Sequence, residues 1–126
     1  MTDIRNVWST LDSIAEHWSP NVVADANGQS VKVAKLLGEL CWHDHADEDE
    51  IFLILRGSLV IQYRDRPHVT LREGDIHTVP QGVEHNPVAQ EECWVALFEP
   101  ATTAHTGTVV TERTKSITEQ RSHISA

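Results

Sequence analysis

The stretch that decides the fold runs from Gly38 to Glu50 and reads Gly-Glu-Leu-Cys-Trp-His-Asp-His-Ala-Asp-Glu-Asp-Glu. His43 and His45 are two residues apart, so on a β-strand both imidazoles point to the same face. Glu50 begins an apolar run, 51–55, which can pair antiparallel with the histidine strand and bring the carboxylate back to the same place. Two imidazoles and a carboxylate on one face suit a divalent first-row metal.

A further histidine ends a second motif downstream. Residues 74–85 read Gly-Asp-Ile-His-Thr-Val-Pro-Gln-Gly-Val-Glu-His. Pro80 closes the strand because proline cannot donate to the ladder, and Gly82 permits the sharp turn that follows. His85 lies just past this turn and is therefore available as a fourth metal ligand.

Together the two stretches resemble the paired motifs of the cupin superfamily over residues 30–98. The matching positions are Gly38, His43, His45, Glu50, Gly57, Gly74, Pro80, Gly82 and His85. The resemblance implies an all-β fold, a double-stranded β-helix or jelly-roll barrel, with one divalent metal ion per chain on the three histidines and the glutamate. There are two departures: the first motif is one residue shorter than usual before His43, and Ala89 stands where the family often has asparagine.

The rest of the chain also reads as short strands. Asn27-Gly28, a strong hairpin turn signal, lies between two runs that contain valine, 22–24 and 31–34. Further strands are predicted at 40–45, 50–55, 58–63, 69–71, 76–79 and 93–98, separated by turns that contain glycine or proline. Many short strands at this spacing are typical of a sandwich or barrel.

A short helix and a polar arm are expected on either side of the barrel. Ser9 can cap a helix that runs to Trp18, and Pro20 stops it. Beyond Pro100 the chain is rich in threonine and serine and cannot form a core of its own. We therefore predict a helical segment at 1–20, a barrel at 21–100 and an extended, partly mobile arm at 101–126, with one strand near 108–111.

Composition limits the possible partners. The chain has 126 residues and a formal net charge of −9, which disfavours binding to nucleic acid and to anionic membranes. It contains no apolar run long enough to span a membrane and no signal-peptide pattern. Cys41 and Cys93 form no metal or redox motif, which favours a reduced, cytoplasmic protein. Cys41 shares strand parity with His43, so it is expected to be a small buried residue, with a thiolate ligand as the alternative.

A homodimer is the expected assembly, because cupins of this size usually pair through a sheet. The chain offers edge strands, and its tryptophans supply more apolar area than a small barrel needs inside. Trp42 has the opposite strand parity to His43, so it should point away from the metal cavity. An outward tryptophan marks an interface or a second packed layer.

Two classes of function follow from this site. Four protein ligands leave an open position on the ion, where a carbonyl oxygen, an enolate oxygen or a water can be activated. The first class is a metalloenzyme, such as an isomerase, a lyase or a dioxygenase, that acts on a keto acid, a sugar derivative or a phenolic compound. The alternative is a metal- or ligand-binding or sensing module without turnover. The ion can be Zn, Fe, Mn or Ni, since nitrogen and oxygen sites accept most first-row ions.

Three more side chains are candidates for roles near the ion. His77 can act there as an acid or base, or can be an ordinary, partly exposed strand histidine. Lys35 and Arg56 would meet an anionic substrate only if they faced inward, and strand cations usually face solvent. With ordinary imidazole pKa values near ~6.5, metal affinity is expected to weaken below about pH 6, with more than one proton taken up per ion released.

Overall fold

Antiparallel strands dominate the computed structural model, which describes residues 4–107 and 114–121. Within those ranges the elements are α1 Val7–Ser13, β1 Asn21–Ala26, β2 Gln29–Glu39, β3 Glu50–Arg56, β4 Ser58–Tyr63, β5 Val69–Arg72, β6 Ile76–Val79, β7 His85–Pro100 and α2 Ile117–Arg121. This confirms the predicted jelly-roll fold. No helix in the described ranges is long and apolar enough to cross a membrane.

The long strand β7 joins the two halves of the barrel. Its first residues, 85–88, pair with β4, and residues 94–98 pair with β3. On its other edge β7 pairs with β2 along most of its length, with a register shift between Leu36 and Gly38. The sheet order is β1-β2-β7-β3-β6, and β5 is attached through β4. Because β7 pairs with β4 at one end and with β3 at the other, the sheet curls into a barrel with an enclosed interior.

Strand alternation separates an inner core from an outer layer. On β3, Phe52 and Ile54 are buried in the inner cluster, whereas Leu53 and Leu55 contact the outer cluster. The outer cluster lies beneath α1, whose Leu11 is completely buried. The short helix therefore covers the outside of the sheet and leaves the barrel interior free for the site.

The N-terminal helix differs from the sequence prediction of Ser9–Trp18. It is capped by Asn6, whose side-chain oxygen accepts from the Ser9 backbone N–H at 3.0 Å, and it ends at Ser13. Ile14 is extended, and Trp18 adopts a left-handed conformation with φ 58°. The Trp18 indole donates to the Leu37 carbonyl oxygen at 2.7 Å and enters the barrel core. Packing of Trp18 into the barrel core thus outweighs continuation of the helix beyond Ser13.

The C-terminal segment carries a helix that the sequence did not reveal. Residues 117–121 form α2, whose Gln120 is buried, and Thr103 and Thr106 of the preceding segment are buried as well. These residues lie against the barrel, which differs from the predicted extended arm. The predicted strand near 108–111 lies outside the described residues.

Candidate metal centre

Backbone hydrogen bonds tie the two sequence motifs together. The N–H of His43 donates to the carbonyl oxygen of His85 at 3.0 Å, and the N–H of His85 donates back to that of His43 at 2.9 Å. The N–H of Gly82 donates to the carbonyl oxygen of His45 at 2.8 Å. The predicted strand 40–45 is thus reduced to one isolated bridge, since β2 ends at Glu39. The bridge is nevertheless enough to place the histidines of both motifs side by side.

The four candidate ligands converge in the barrel interior. His43, His45 and His85 are buried, and their candidate ligand nitrogens lie within 4.8 Å of one another. The Glu50 Oε1 atom lies 3.8 Å from Nε2 of both His45 and His85. Two atoms that each bind one ion at ~2.1 Å are at most ~4.2 Å apart, so the carboxylate is within reach of a shared ion.

Local hydrogen bonds direct the histidine lone pairs toward this point. The Nδ1–H of His43 donates to the Cys41 carbonyl oxygen at 3.0 Å, and that of His85 donates to the Val83 carbonyl oxygen at 2.9 Å. In both rings Nε2 is left as the acceptor, the arrangement usual for metal-bound histidine. Nε2 of His85 and both ring nitrogens of His45 are buried without a hydrogen-bond partner. Since such orphaned groups are costly, these residues fit a metal ion.

Burial keeps the candidate ligands in the form that binds metal. Desolvation, with neighbouring His85 and His45, lowers the pKa of His43 to about 3. Desolvation also lowers the pKa values of His45 and His85. These lowered pKa values favour the neutral form of all three imidazoles in the folded protein. We therefore expect acid to release the metal at a lower pH than ordinary imidazole pKa values would give.

These pKa shifts predict a shallow pH dependence of metal affinity. A histidine that is already neutral gives up no proton to the ion, and acid competes only as the pH approaches its depressed pKa. Desolvation raises the pKa of Glu50, so the carboxylate is the group that can lose a proton. Near pH 7 we expect no more than about one proton to be released per ion bound. Calorimetry in two buffers of different ionisation enthalpy measures this number, and a value of two or three would contradict the prediction.

A buried network of charged groups supports Glu50. The carboxyl group of Glu99 neighbours that of Glu50, and Glu99 Oε1 lies 2.7 Å from Nζ of Lys32. Nζ of Lys32 also donates to Oε1 of Gln120 at 2.6 Å. Burial and the adjacent Glu50 raise the pKa of Glu99 well above its ordinary value. The raised pKa values of the two carboxyl groups favour the neutral form, and Lys32 lies beside Glu99 as the paired cation.

Beside the candidate ligands is a small cavity in the barrel interior. Much of its wall is apolar and includes Trp18, Leu36, Leu40, Phe52, Val95 and Leu97. Its polar lining consists of His43, Glu50, Glu99, His105 and Gln120. The site thus combines a candidate ion position with a small, largely apolar chamber.

Other residues singled out in the sequence lie elsewhere. His77 shares a 2.7 Å hydrogen bond with the Tyr63 hydroxyl, and it is not among the described residues that line the cavity. Lys35 donates to the Ile14 carbonyl oxygen at 3.0 Å, and the Arg56 guanidinium stacks 3.9 Å from the ring centroid of Trp94. Both cations therefore lie on the outer layer and cannot meet a ligand in the barrel.

The two residues that precede the first histidine, Cys41 and Trp42, have separate roles. Cys41 is partly buried, and this burial raises the pKa of its thiol, which disfavours a thiolate ligand. Trp42 stacks with Arg64, whose guanidinium carbon is 4.1 Å from the ring centroid. Trp42 is therefore packed against a surface cation.

Comparison with known proteins agrees with the motifs and the fold. Residues 38–98 match the family model described as the cupin domain. The solved structure of a cupin-2 domain containing protein from Shewanella frigidimarina is 41% identical, with a TM-score of 0.73 over 77% of this chain and 94% of that one. The chain belongs to the cupin superfamily.

Two further proteins are similar to this cupin at lower sequence identity. It is 29% identical over 85 residues to the uncharacterized protein YdbB of Bacillus subtilis, covering 68% of this chain and 75% of YdbB. A hydroquinone 1,2-dioxygenase solved in complex with Fe³⁺ is 20% identical, with a TM-score of 0.68 over 77% of this chain and 32% of that one. At this level of identity the similarity to the dioxygenase shows a shared fold and nothing more.

Proposed function

We propose that this cupin is a metal-dependent enzyme for a small oxygen-rich molecule, with one divalent ion held by His43, His45, Glu50 and His85. The orphaned nitrogens carry the proposal: Nε2 of His45 and of His85 are buried without a partner, each 3.8 Å from the Glu50 carboxylate. A purely structural barrel would have no use for two buried imidazoles whose Nε2 atoms lack partners.

An open coordination position would face the cavity beside the ligands. When bound, the ion supplies Lewis-acid polarisation of an oxygen atom of the ligand, and Zn, Fe, Mn and Ni are all compatible with the donor set. The chain itself supplies an apolar chamber that limits water, and the Glu50–Glu99 pair can hold a proton close to the site. Hydroquinone 1,2-dioxygenase, which shares this fold, was solved in complex with Fe³⁺.

The second candidate function is binding or sensing without turnover. It is favoured by the position of His77, the histidine that the sequence offered as an acid or base, because His77 hydrogen-bonds to Tyr63 and is not among the described residues that line the cavity. The metal site and the chamber would serve this function equally well. The two candidates therefore differ only in whether a bound molecule is changed.

Turnover by the metal-loaded protein separates the two candidates. Protein loaded with Fe(II), and separately with Zn, Mn or Ni, is incubated with panels of keto acids, sugar derivatives and phenols. NMR then follows the substrates, and an electrode follows oxygen. Product formation that is lost in His45→Ala supports an enzyme. Tight binding with no chemical change under any metal would leave the binding module as the function.

We also propose that the protein is a homodimer. It would work in a reducing compartment such as the cytoplasm. Trp8 is 47% exposed and packs against Trp94 with 6.3 Å between ring centroids, and Ile4, four residues earlier in the sequence, is 93% exposed. We expect light scattering at micromolar concentration to give twice the chain mass of 14.1 kDa. Trp8→Glu should shift that mass toward the monomer because it places a charge in an apolar contact. A monomer mass for the wild-type protein would contradict the prediction.

A further inference from the structure

The C-terminal segment is seated directly on the loop that carries the ligands. Gly107 has φ +60°, and a Cβ built there would overlap the carbonyl oxygen of Asp44. Asp44 stands between His43 and His45, so the segment contacts the backbone of the candidate metal site. Thr102 adds a hydrogen bond to Glu48 at 2.9 Å. The approach is possible only because residue 107 has no side chain.

Residues 114–121 are anchored to the barrel by one buried contact and one surface contact. Inside, Gln120 accepts from Lys32 and donates to the carbonyl oxygen of Lys115 at 3.1 Å. Outside, Arg121 forms a two-pronged pair with Asp25, with contacts of 3.0 and 2.6 Å. Together these contacts fix the backbone of Lys115 relative to the barrel.

That backbone decides the tautomer of His105. The N–H of Lys115 donates to Nδ1 of His105 at 2.9 Å, so Nδ1 carries no proton. The neutral ring must then carry its proton on Nε2, which becomes a hydrogen-bond donor. His105 lines the cavity, and within the described chain no partner for Nε2 is found. The segment thus supplies the chamber with a neutral donor.

The other residues that line the cavity determine whether it can accommodate a charged ligand. Within the described residues, neither lysine nor arginine lines the cavity, and the buried Lys32 behind it is already paired with Glu99. A carboxylate or a phosphate in the chamber would therefore find no cation except the ion itself. Buried anions need such partners, whereas a hydroxyl group and an apolar ring do not. The wall accordingly favours an uncharged ring with oxygen substituents.

We propose that His105 is a ligand-recognition residue whose Nε2–H hydrogen-bonds to an oxygen of an uncharged, hydroxylated single-ring molecule of the phenol or enol class. The proposal rests on the proposed metal function, because the same molecule binds the ion through another oxygen. It narrows the substrate class, since a carboxylate or phosphate group that is not bound to the ion would find no cation among the described residues that line the chamber.

Two substitutions at His105 separate its two nitrogens. In His105→Asn the amide oxygen can still accept from Lys115 while the donor at the Nε2 position is lost. In His105→Gln the amide nitrogen reaches the Nε2 position. Both variants and the wild-type protein are loaded with Zn²⁺, their zinc content is measured, and calorimetry gives the affinities for catechol and for 3,4-dihydroxybenzoate.

All three proteins should hold the same amount of zinc. Catechol should bind about tenfold more weakly to His105→Asn, the effect of about one lost hydrogen bond, and within about threefold of wild type to His105→Gln. The wild-type protein should prefer catechol to the carboxylated analogue by about tenfold or more, because the carboxylate would lack a partner. Equal binding of catechol to wild type and His105→Asn, or preference for the carboxylated analogue, would overturn the inference while leaving the metal function intact. A wild-type protein that takes up no zinc would overturn both.

Discussion

Replacement of His45 by alanine is expected to weaken metal binding by more than about 100-fold, the upper range for loss of a group that merely supports a ligand. His45 contributes a buried ring whose nitrogens have no other partner, so its loss removes a donor directly. Elemental analysis after purification, followed by competition with a chelator, measures the change.

The matched control is His17→Ala. His17 is partly exposed and pairs with Glu92 at 2.8 Å, far in sequence from the candidate ligands. This variant should keep the metal content of the wild-type protein. Full occupancy in His45→Ala would show that the ion is bound elsewhere.

Replacement of Lys32 by methionine is expected to lower the free energy of unfolding by about 3–5 kcal/mol, the usual cost of removing one partner from a buried ion pair. Lys32 is 2% exposed and contacts both Glu99 and Gln120. Its loss leaves a buried acid and an amide oxygen without their donor. Urea unfolding of the metal-free protein gives the change in stability.

The double variant Lys32→Met with Glu99→Leu tests whether the pair is the cause. Apolar replacement of both partners should restore part of the lost stability, because the buried carboxyl group that Lys32 had paired is then removed as well. Lys115→Met is the surface control: that lysine pairs with the exposed Glu16, and its loss should cost at most about 1 kcal/mol. If the double variant were as unstable as Lys32→Met alone, the pairing would not explain the effect.

The strands could be predicted well because local signals agree with the final packing. Asn27-Gly28 does form the turn between β1 and β2, and the bounds of β4 and β6 match the predicted runs. The helix was misplaced because its boundary depends on capping by Asn6 and on Trp18, whose indole enters the barrel core. Tertiary packing of one large side chain outweighs a helical pattern in such a short segment.

For the site, the spacing of the sequence motifs predicted the candidate ligands. Some of the residues around them could also have been predicted from the sequence. Glu99 shares the inward face of β7 with Val95 and Leu97, and Lys32 shares that of β2 with Ala34, so strand parity could have revealed both. No such signal existed for His105 or Gln120. Their segment has no strand periodicity, and it reaches the cavity through long-range contacts such as that between Lys32 and Gln120.

The most direct test of the metal centre is anomalous X-ray diffraction from crystals of the purified protein, recorded at the absorption edge of the metal that it carries. We predict one strong anomalous peak per chain, at ~2.0–2.3 Å from a ring nitrogen of each of His43, His45 and His85 and from a carboxylate oxygen of Glu50. A cavity without such a peak, in which water molecules bridge the histidine nitrogens, would contradict the metal centre and the function built on it.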